Sequence, residues 1–189
     1  MPWWREQSYY DEPGRGTMAR DGGGVLISQA IHTLDLMLKF TGPVESVIAM
    51  HTTTDFHRME CEDYVSASLK FKSGAVGNLT AGTSAYPGST ESIVLHGLNG
   101  SATLSGGELN IVYQDGRELS VGETATSGGG ADPMDFPFIW HQRLIERFLL
   151  DVKTGGLGDD FPTGRSSLAV HQLIEALILS GNEGRMVSL

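Results

Sequence analysis

Apolar and polar residues alternate through the middle of the chain with the period of extended strands. In residues 64–71, Val65, Ala67, Leu69 and Phe71 alternate with polar residues, which is typical of a strand with one buried face. Stretches of similar character cover residues 44–54, 75–83, 90–96, 101–104, 108–113 and 117–121. Tight turns such as Ser73-Gly74, Asn99-Gly100 and Asp115-Gly116 separate several of them, so the sequence predicts a chiefly antiparallel sheet.

Helical spacing of apolar residues appears in three other places. The first stretch runs from Val25 to a stop at Gly42-Pro43, the second ends at Gly155 and the third at Gly181. Residues 3–20 are predicted to pack as a loop, and residues 122–137, rich in Gly, Thr, Ser and Pro, form another. The prediction is an α+β fold in which one large, mainly antiparallel sheet carries helices on one face and leaves the other face open.

Length and composition indicate one globular domain over residues 1–189, with 40% hydrophobic and 19% charged residues. The chain has 13 Lys and Arg against 23 Asp and Glu, a formal charge of -10. This balance argues against nucleic acid or an anionic membrane as partner. No run of residues is apolar and long enough to span a membrane, and no signal peptide is recognisable. With the single cysteine Cys61, these features favour a cytoplasmic protein.

Glycine is abundant, with 25 residues that include the clusters 22–24, 106–107, 128–130 and 155–156. None of these clusters follows a strand as G-x-G-x-x-G, and the P-loop pattern does not occur. We therefore expect no cofactor-binding residues in this chain.

The segment 21–35 contains the residues best suited to chemistry. A glycine turn precedes a helix that carries Ser28 and His32 four residues apart, with Asp35 one turn further on. A neutral imidazole there could take a proton from a hydroxyl. The alternative is that His32 is a packed histidine between Ile31 and Leu34.

This segment resembles the second-domain signature of the Gfo/Idh/MocA oxidoreductases, the family of glucose-fructose oxidoreductase and inositol dehydrogenase. Its pattern is G-G-G-x-L-x-D-x-G-x-H-x-x-D, which residues 22–24, Leu26, His32 and Asp35 match. Residues 15–17, 42–44, 71–75 and 168–189 are also similar to the family. The chain departs from the pattern at Ser28, where the family has Asp, and at Ala30, where it has Gly.

The resemblance implies the C-terminal domain of a two-domain, NAD- or NADP-dependent oxidoreductase acting on a hydroxyl of a sugar, sugar derivative or polyol. His32 would be the catalytic acid/base, with Tyr10, Arg15, Ser28 and His141 as substrate contacts. The family's N-terminal Rossmann domain and its E-K-P lysine are absent from the sequence, so we expect this chain alone to be inactive and to bind no cofactor. The alternative is a non-enzymatic dimerising or partner-binding module.

Other candidate sites are weaker. The spacing of His51, His57, Glu60 and Glu62 fits no common zinc pattern, so no metal site is expected. Carboxylates on both sides of Cys61 disfavour a thiolate nucleophile. We expect the open face of the sheet to form a homodimer or homotetramer, as is common in the family.

Overall fold

The strands form two four-stranded antiparallel sheets in a computed structural model that describes residues 1–122, 138–156 and 163–189. The strands are β1 (Val44–Thr52), β2 (Tyr64–Phe71), β3 (Val76–Gly82), β4 (Ser92–Gly97), β5 (Gly100–Ser105), β6 (Glu108–Tyr113), β7 (Glu118–Val121) and β8 (Val187–Ser188). The first sheet has the order β3-β2-β1-β8 and the second the order β4-β5-β6-β7. The helices are α1 (Gln7–Tyr10), α2 (Ile31–Thr41), α3 (Ile139–Thr154) and α4 (Gly164–Glu183), and a π-helical turn, Leu26–Ala30, leads into α2. The predicted α+β class is confirmed, and seven strands lie where the alternation placed them.

The division into two sheets differs from the single large sheet that the sequence predicts. The reason lies at the outer edge of β3, which the first residues of the chain occupy. The Gly82 amide donates to the Met1 carbonyl, and the Trp3 amide donates to the Gly82 carbonyl. The end of β3 at Thr80 and Gly82 therefore already has a partner where the chain leaves the first sheet, and β4 lies in a separate sheet.

The hydrophobic core lies between one face of the first sheet and the helices α2 and α4. Leu34 of α2 and Leu173 and Leu177 of α4 are each no more than 1% exposed. They meet inward-facing residues of the strands, including Val47, Ala49, Val65, Ala67 and Leu69. Each fully buried Leu or Val contributes about 1.5–3 kcal/mol relative to an exposed one, so this layer holds the sheet and the helices together.

The opposite face of the first sheet carries no helix among the described residues. It mixes small polar residues with exposed apolar ones: Ser66, Ser68 and Thr80 beside Ile48, Met50 and Val76, of which Met50 is 74% and Val76 80% exposed. The sequence predicts the small hydroxylated side chains of this face but not the apolar ones that β1 adds.

Helix α3 is amphipathic, and its apolar residues Leu144, Ile145, Leu149 and Val152 are exposed. None of the helices in the described ranges is long and apolar enough to cross a membrane. The loop predicted at residues 122–137 and the glycines 128–130 fall almost wholly outside the described residues.

Candidate functional site

A glycine turn at the start of the helical segment is built around the side chain of Glu62. A Cβ on Gly24 would lie 1.8 Å from the Glu62 carbonyl oxygen, so only glycine fits. The Glu62 carboxylate accepts hydrogen bonds from the amides of Gly24 and Leu26, each at 3.1 Å, and its carbonyl accepts one from Val25. The amides of a helix start commonly bind anions. Here the protein's own carboxylate takes that place.

Two of the predicted site residues lie at the π-helical turn Leu26–Ala30: Ser28 is inside it, and His32 follows it on the first turn of α2. Leu26, Gln29 and Ala30 are buried, whereas Ser28 and His32 are exposed. The Ser28 hydroxyl lies 2.5 Å from the carbonyl oxygen of Gly24, so it turns back onto the glycine turn. No hydrogen bond or ion pair joins His32 to Ser28 or Asp35 in the described part of the chain. Single π-turns inside helices occur frequently at functional sites.

Arg15 belongs to a string of polar side chains that reaches the π-helical turn. Its Nη1 donates to the Tyr9 hydroxyl at 2.7 Å, and its guanidinium lies over the Tyr9 ring at 4.2 Å. Gln29 Nε2 also donates to that hydroxyl, at 3.4 Å, and Gln29 Oε1 lies 2.5 Å from Ser28 Oγ. Arg15 Nε pairs with the Glu12 carboxylate at 2.8 Å, and the hydrogen bond from Arg15 lowers the pKa of the Glu12 carboxyl.

The sequence predictions include Arg15 and Ser28, and the structure joins these two through Tyr9 and Gln29, which sequence reasoning missed. The signal for Tyr9 was its place beside Tyr10, six residues before Arg15. The local sequence does not show which of the two tyrosines contacts Arg15, because that depends on which one is buried in the folded chain.

Tyr10 is the buried member of the pair, at 7% exposure. Its hydroxyl is 2.8 Å from Thr83 Oγ1, and burial raises its pKa to about 12. His141 lies on α3, exposed, and no hydrogen bond, ion pair or ring contact joins it to the other predicted site residues within the described ranges. Roles for Tyr10 and His141 at the substrate stay predictions.

Cys61 is 8% exposed, and its pKa is raised to about 11, chiefly by burial and then by the charges of Glu62 and Glu60. Such a thiol stays protonated at neutral pH and is a poor nucleophile. In the ranges that the structure describes, no three His, Cys, Asp or Glu side chains converge as they would around a metal ion.

A groove of about 410 Å³ lies between the glycine turn and α4. Its lining includes Gly22, Ile27, His171, Ile174, Glu175 and Ile178. None of the site residues predicted from the sequence lines this groove.

The fold is similar to part of several solved dehydrogenase structures. The WlbA dehydrogenase from Chromobacterium violaceum, solved in complex with NADH and UDP-GlcNAcA, is 29% identical with a TM-score of 0.76, over 99% of this chain and 52% of that chain. The WlbA dehydrogenase from Bordetella pertussis, in complex with the same molecules, is 28% identical with a TM-score of 0.74, over 99% and 51%. Levoglucosan dehydrogenase shares the fold, at 20% identity and a TM-score of 0.74 over 98% and 57%.

Residues 1–103 match the model of the GFO/IDH/MocA C-terminal domain family. The chain belongs to this family, as its glycine-turn segment predicts. It spans about half the length of the solved structures that it matches. No curated protein matches the chain. The matched range contains Arg15, Ser28 and His32 but not His141.

We expect Gly24→Ala to lower the free energy of unfolding by about 3–5 kcal/mol, because the new methyl group would overlap the Glu62 backbone. Urea denaturation measures this change. Gly164→Ala is the matched control, since a Cβ at the first residue of α4 meets nothing within 4 Å. Equal stability of the Gly24→Ala protein and its parent would contradict the close approach.

Proposed function

We propose that this chain is the substrate-binding and subunit-contact domain of an NAD- or NADP-dependent oxidoreductase that acts on a hydroxyl of a sugar, sugar derivative or polyol. The observation that carries the proposal is the family match over residues 1–103, the part of the chain that holds Arg15, Ser28 and His32. Support for a sugar-type substrate comes from the two relatives solved with UDP-GlcNAcA, at 29% and 28% identity. A cytoplasmic location is part of the proposal.

In this proposal His32 is the group that moves the proton. Its imidazole is exposed on the first turn of α2, where it can accept a proton from a substrate hydroxyl. The resembled pattern has an aspartate at the position of Ser28. Ser28 carries no charge and its hydroxyl turns toward Gly24, so it cannot assist the His32 ring as a carboxylate would. His32 therefore acts without the acidic neighbour found in the resembled pattern.

Arg15 and Tyr9 are proposed to orient the substrate. Arg15 is already paired with Glu12, so its remaining N–H donors suit sugar hydroxyls and do not need an anion to compensate its charge. The Tyr9 hydroxyl and Ser28 belong to the same string of hydrogen-bonding groups, and Ser28 lies four residues before His32.

The glycine turn of this chain does not suit the phosphates of the dinucleotide found in the relatives. The glycine turn that could face a phosphate is occupied by the Glu62 carboxylate, and like charge would repel a phosphate there. The cofactor is therefore assigned to residues outside this chain.

The second candidate is a non-enzymatic dimerising or partner-binding module. The exposed apolar side chains Ile48, Met50 and Val76 on the open sheet face favour it, and it needs no catalytic role for His32. A reading frame that also encodes G-x-G-x-x-G and E-K-P ahead of this chain would favour the enzyme.

We expect the chain alone to bind neither NAD(H) nor NADP(H), because its helix start already holds Glu62. Isothermal titration calorimetry measures this, with the Bordetella pertussis WlbA dehydrogenase, solved with NADH, as the positive control. Micromolar binding by this chain would contradict the prediction.

We expect His32→Ala to lower kcat by about 10²–10⁴-fold in the longer protein that the proposal requires, with little change in KM, because proton transfer belongs to the transition state. Steady-state kinetics with a panel of sugars and sugar nucleotides measures it. His96→Ala, at an exposed position in the second sheet, is the matched control. Turnover within a few-fold of the parent would make His32 structural.

We expect the chain to form a dimer or tetramer through the open face of the first sheet, where a second copy can pack at about 10 Å. Sedimentation equilibrium should give a mass of at least two chains of 20.3 kDa. Met50→Lys should shift the equilibrium toward monomer, because it places a charge on this face. The control is Leu98→Lys, at a residue 92% exposed in a turn of the second sheet. A monomer at micromolar concentration would overturn the expectation.

A further inference from the structure

A histidine and an aspartate lie fully buried beneath the N-terminal segment, and the proposed function assigns neither. The side chains of His57 and Asp63 have no solvent exposure, and His57 Nδ1 is 2.6 Å from Asp63 Oδ2. The other ring nitrogen, Nε2, lies 2.9 Å from the backbone carbonyl oxygen of Arg5. Both nitrogens of one imidazole therefore face oxygen atoms.

The hydrogen bonds decide where the protons lie. A backbone carbonyl only accepts, so Nε2 carries a proton and donates it to Arg5. Asp63 Oδ1 accepts from the Thr54 amide at 2.8 Å, and Oδ2 accepts from the Thr54 hydroxyl at 2.6 Å. Two donors stabilise the ionised form of a carboxyl group, so Asp63 also accepts from Nδ1 and the ring carries two protons.

The surroundings of the pair are aromatic. The His57 ring centroid is 4.7 Å from that of Tyr10 and 6.1 Å from that of Trp4. The Arg5 guanidinium lies over the rings of Trp3 and Tyr9 at 5.2 and 5.5 Å, and among the described residues it forms no ion pair with Asp63. Asp63 is thus the carboxylate that compensates the imidazolium, and breaking one partner would leave a buried charge.

Direct contacts connect this pair to the polar string described above. His57 packs on Tyr10, the Tyr10 ring packs on Tyr9 at 5.0 Å, and the Tyr9 hydroxyl receives the hydrogen bond of Arg15. His57 also holds the carbonyl of Arg5, whose side chain lies against Tyr9.

We propose that His57 is an imidazolium paired with Asp63, and that it is a positioning residue for Tyr9 and Arg15. The charge state of His57 is argued from its hydrogen bonds alone. The positioning of Tyr9 and Arg15 rests on the proposed function only where it concerns a bound substrate.

Nuclear magnetic resonance of the ¹⁵N-labelled chain tests the charge state directly. We expect two ring N–H resonances for His57 at neutral pH, with Nδ1–H far downfield because its bond is short. His57→Gln should abolish both, and Thr54→Val, which removes one donor to Asp63 and keeps the pair, should shift the downfield signal. One ring N–H, with a protonated Asp63, would overturn the proposal.

The positioning role is tested in the same chain, without turnover. We expect His57→Gln and Asp63→Asn to lower the Tm by about 10 °C and to move the Arg15 Nε–H and Gln29 side-chain signals. Thr54→Val, a nearly isosteric change, should move the same signals less and keeps the test available where the stronger variants unfold. His96→Gln, at a histidine bonded to Ser101 in the second sheet, is the control that should move none of them.

Unchanged Arg15 and Gln29 signals in a folded His57→Gln or Thr54→Val protein would overturn the positioning role. These readouts need neither cofactor nor substrate. A failure of the proposed oxidoreductase function therefore leaves them intact, and their failure leaves that function untouched.

Discussion

The close approach of Gly24 to Glu62 is the contact on which the candidate site depends. With no side chain at Gly24, the turn lies directly on the Glu62 backbone, and the Glu62 carboxylate caps the helical segment that follows. The cap satisfies amides that would otherwise be unpaired at a buried helix start. It thereby sets where the π-helical turn begins and which of its residues reach the surface.

The four residues 60–63 connect this turn to the rest of the site. The amides of Glu60 and Cys61 both donate to the Gly16 carbonyl, next to Arg15. Glu62 holds the glycine turn, and Asp63 holds His57 and, through its backbone carbonyl, the amide of Thr83. One short segment ahead of β2 therefore fixes the positions of residues that are far apart in sequence, and a change in it affects Arg15 and Ser28 together.

Local patterns predicted most of the secondary structure, because alternation and helical spacing report burial within a single element. Seven strands and the fold class followed from such patterns, and the family resemblance found the segment 21–35. The split into two sheets was not predictable in this way, since it depends on backbone bonds between Met1 and Gly82, which are distant in sequence. Tyr9 and Tyr10 have the same residue type, and they are distinguished by tertiary contacts of Tyr10 with His57 and Thr83.

The charges of the site explain what kind of ligand it favours. Glu62 compensates the positive end of the helical segment, and Glu12 compensates Arg15. Beside these pairs lie the neutral hydroxyls of Tyr9 and Ser28, each already in a hydrogen bond, and the imidazole of the exposed His32. Such a surface discriminates by the direction of donors and acceptors, since a hydroxyl that misses its partner leaves a polar group unpaired. A ligand rich in hydroxyl groups meets this condition better than an isolated anion does, which is the physical argument behind the proposed sugar-type substrate.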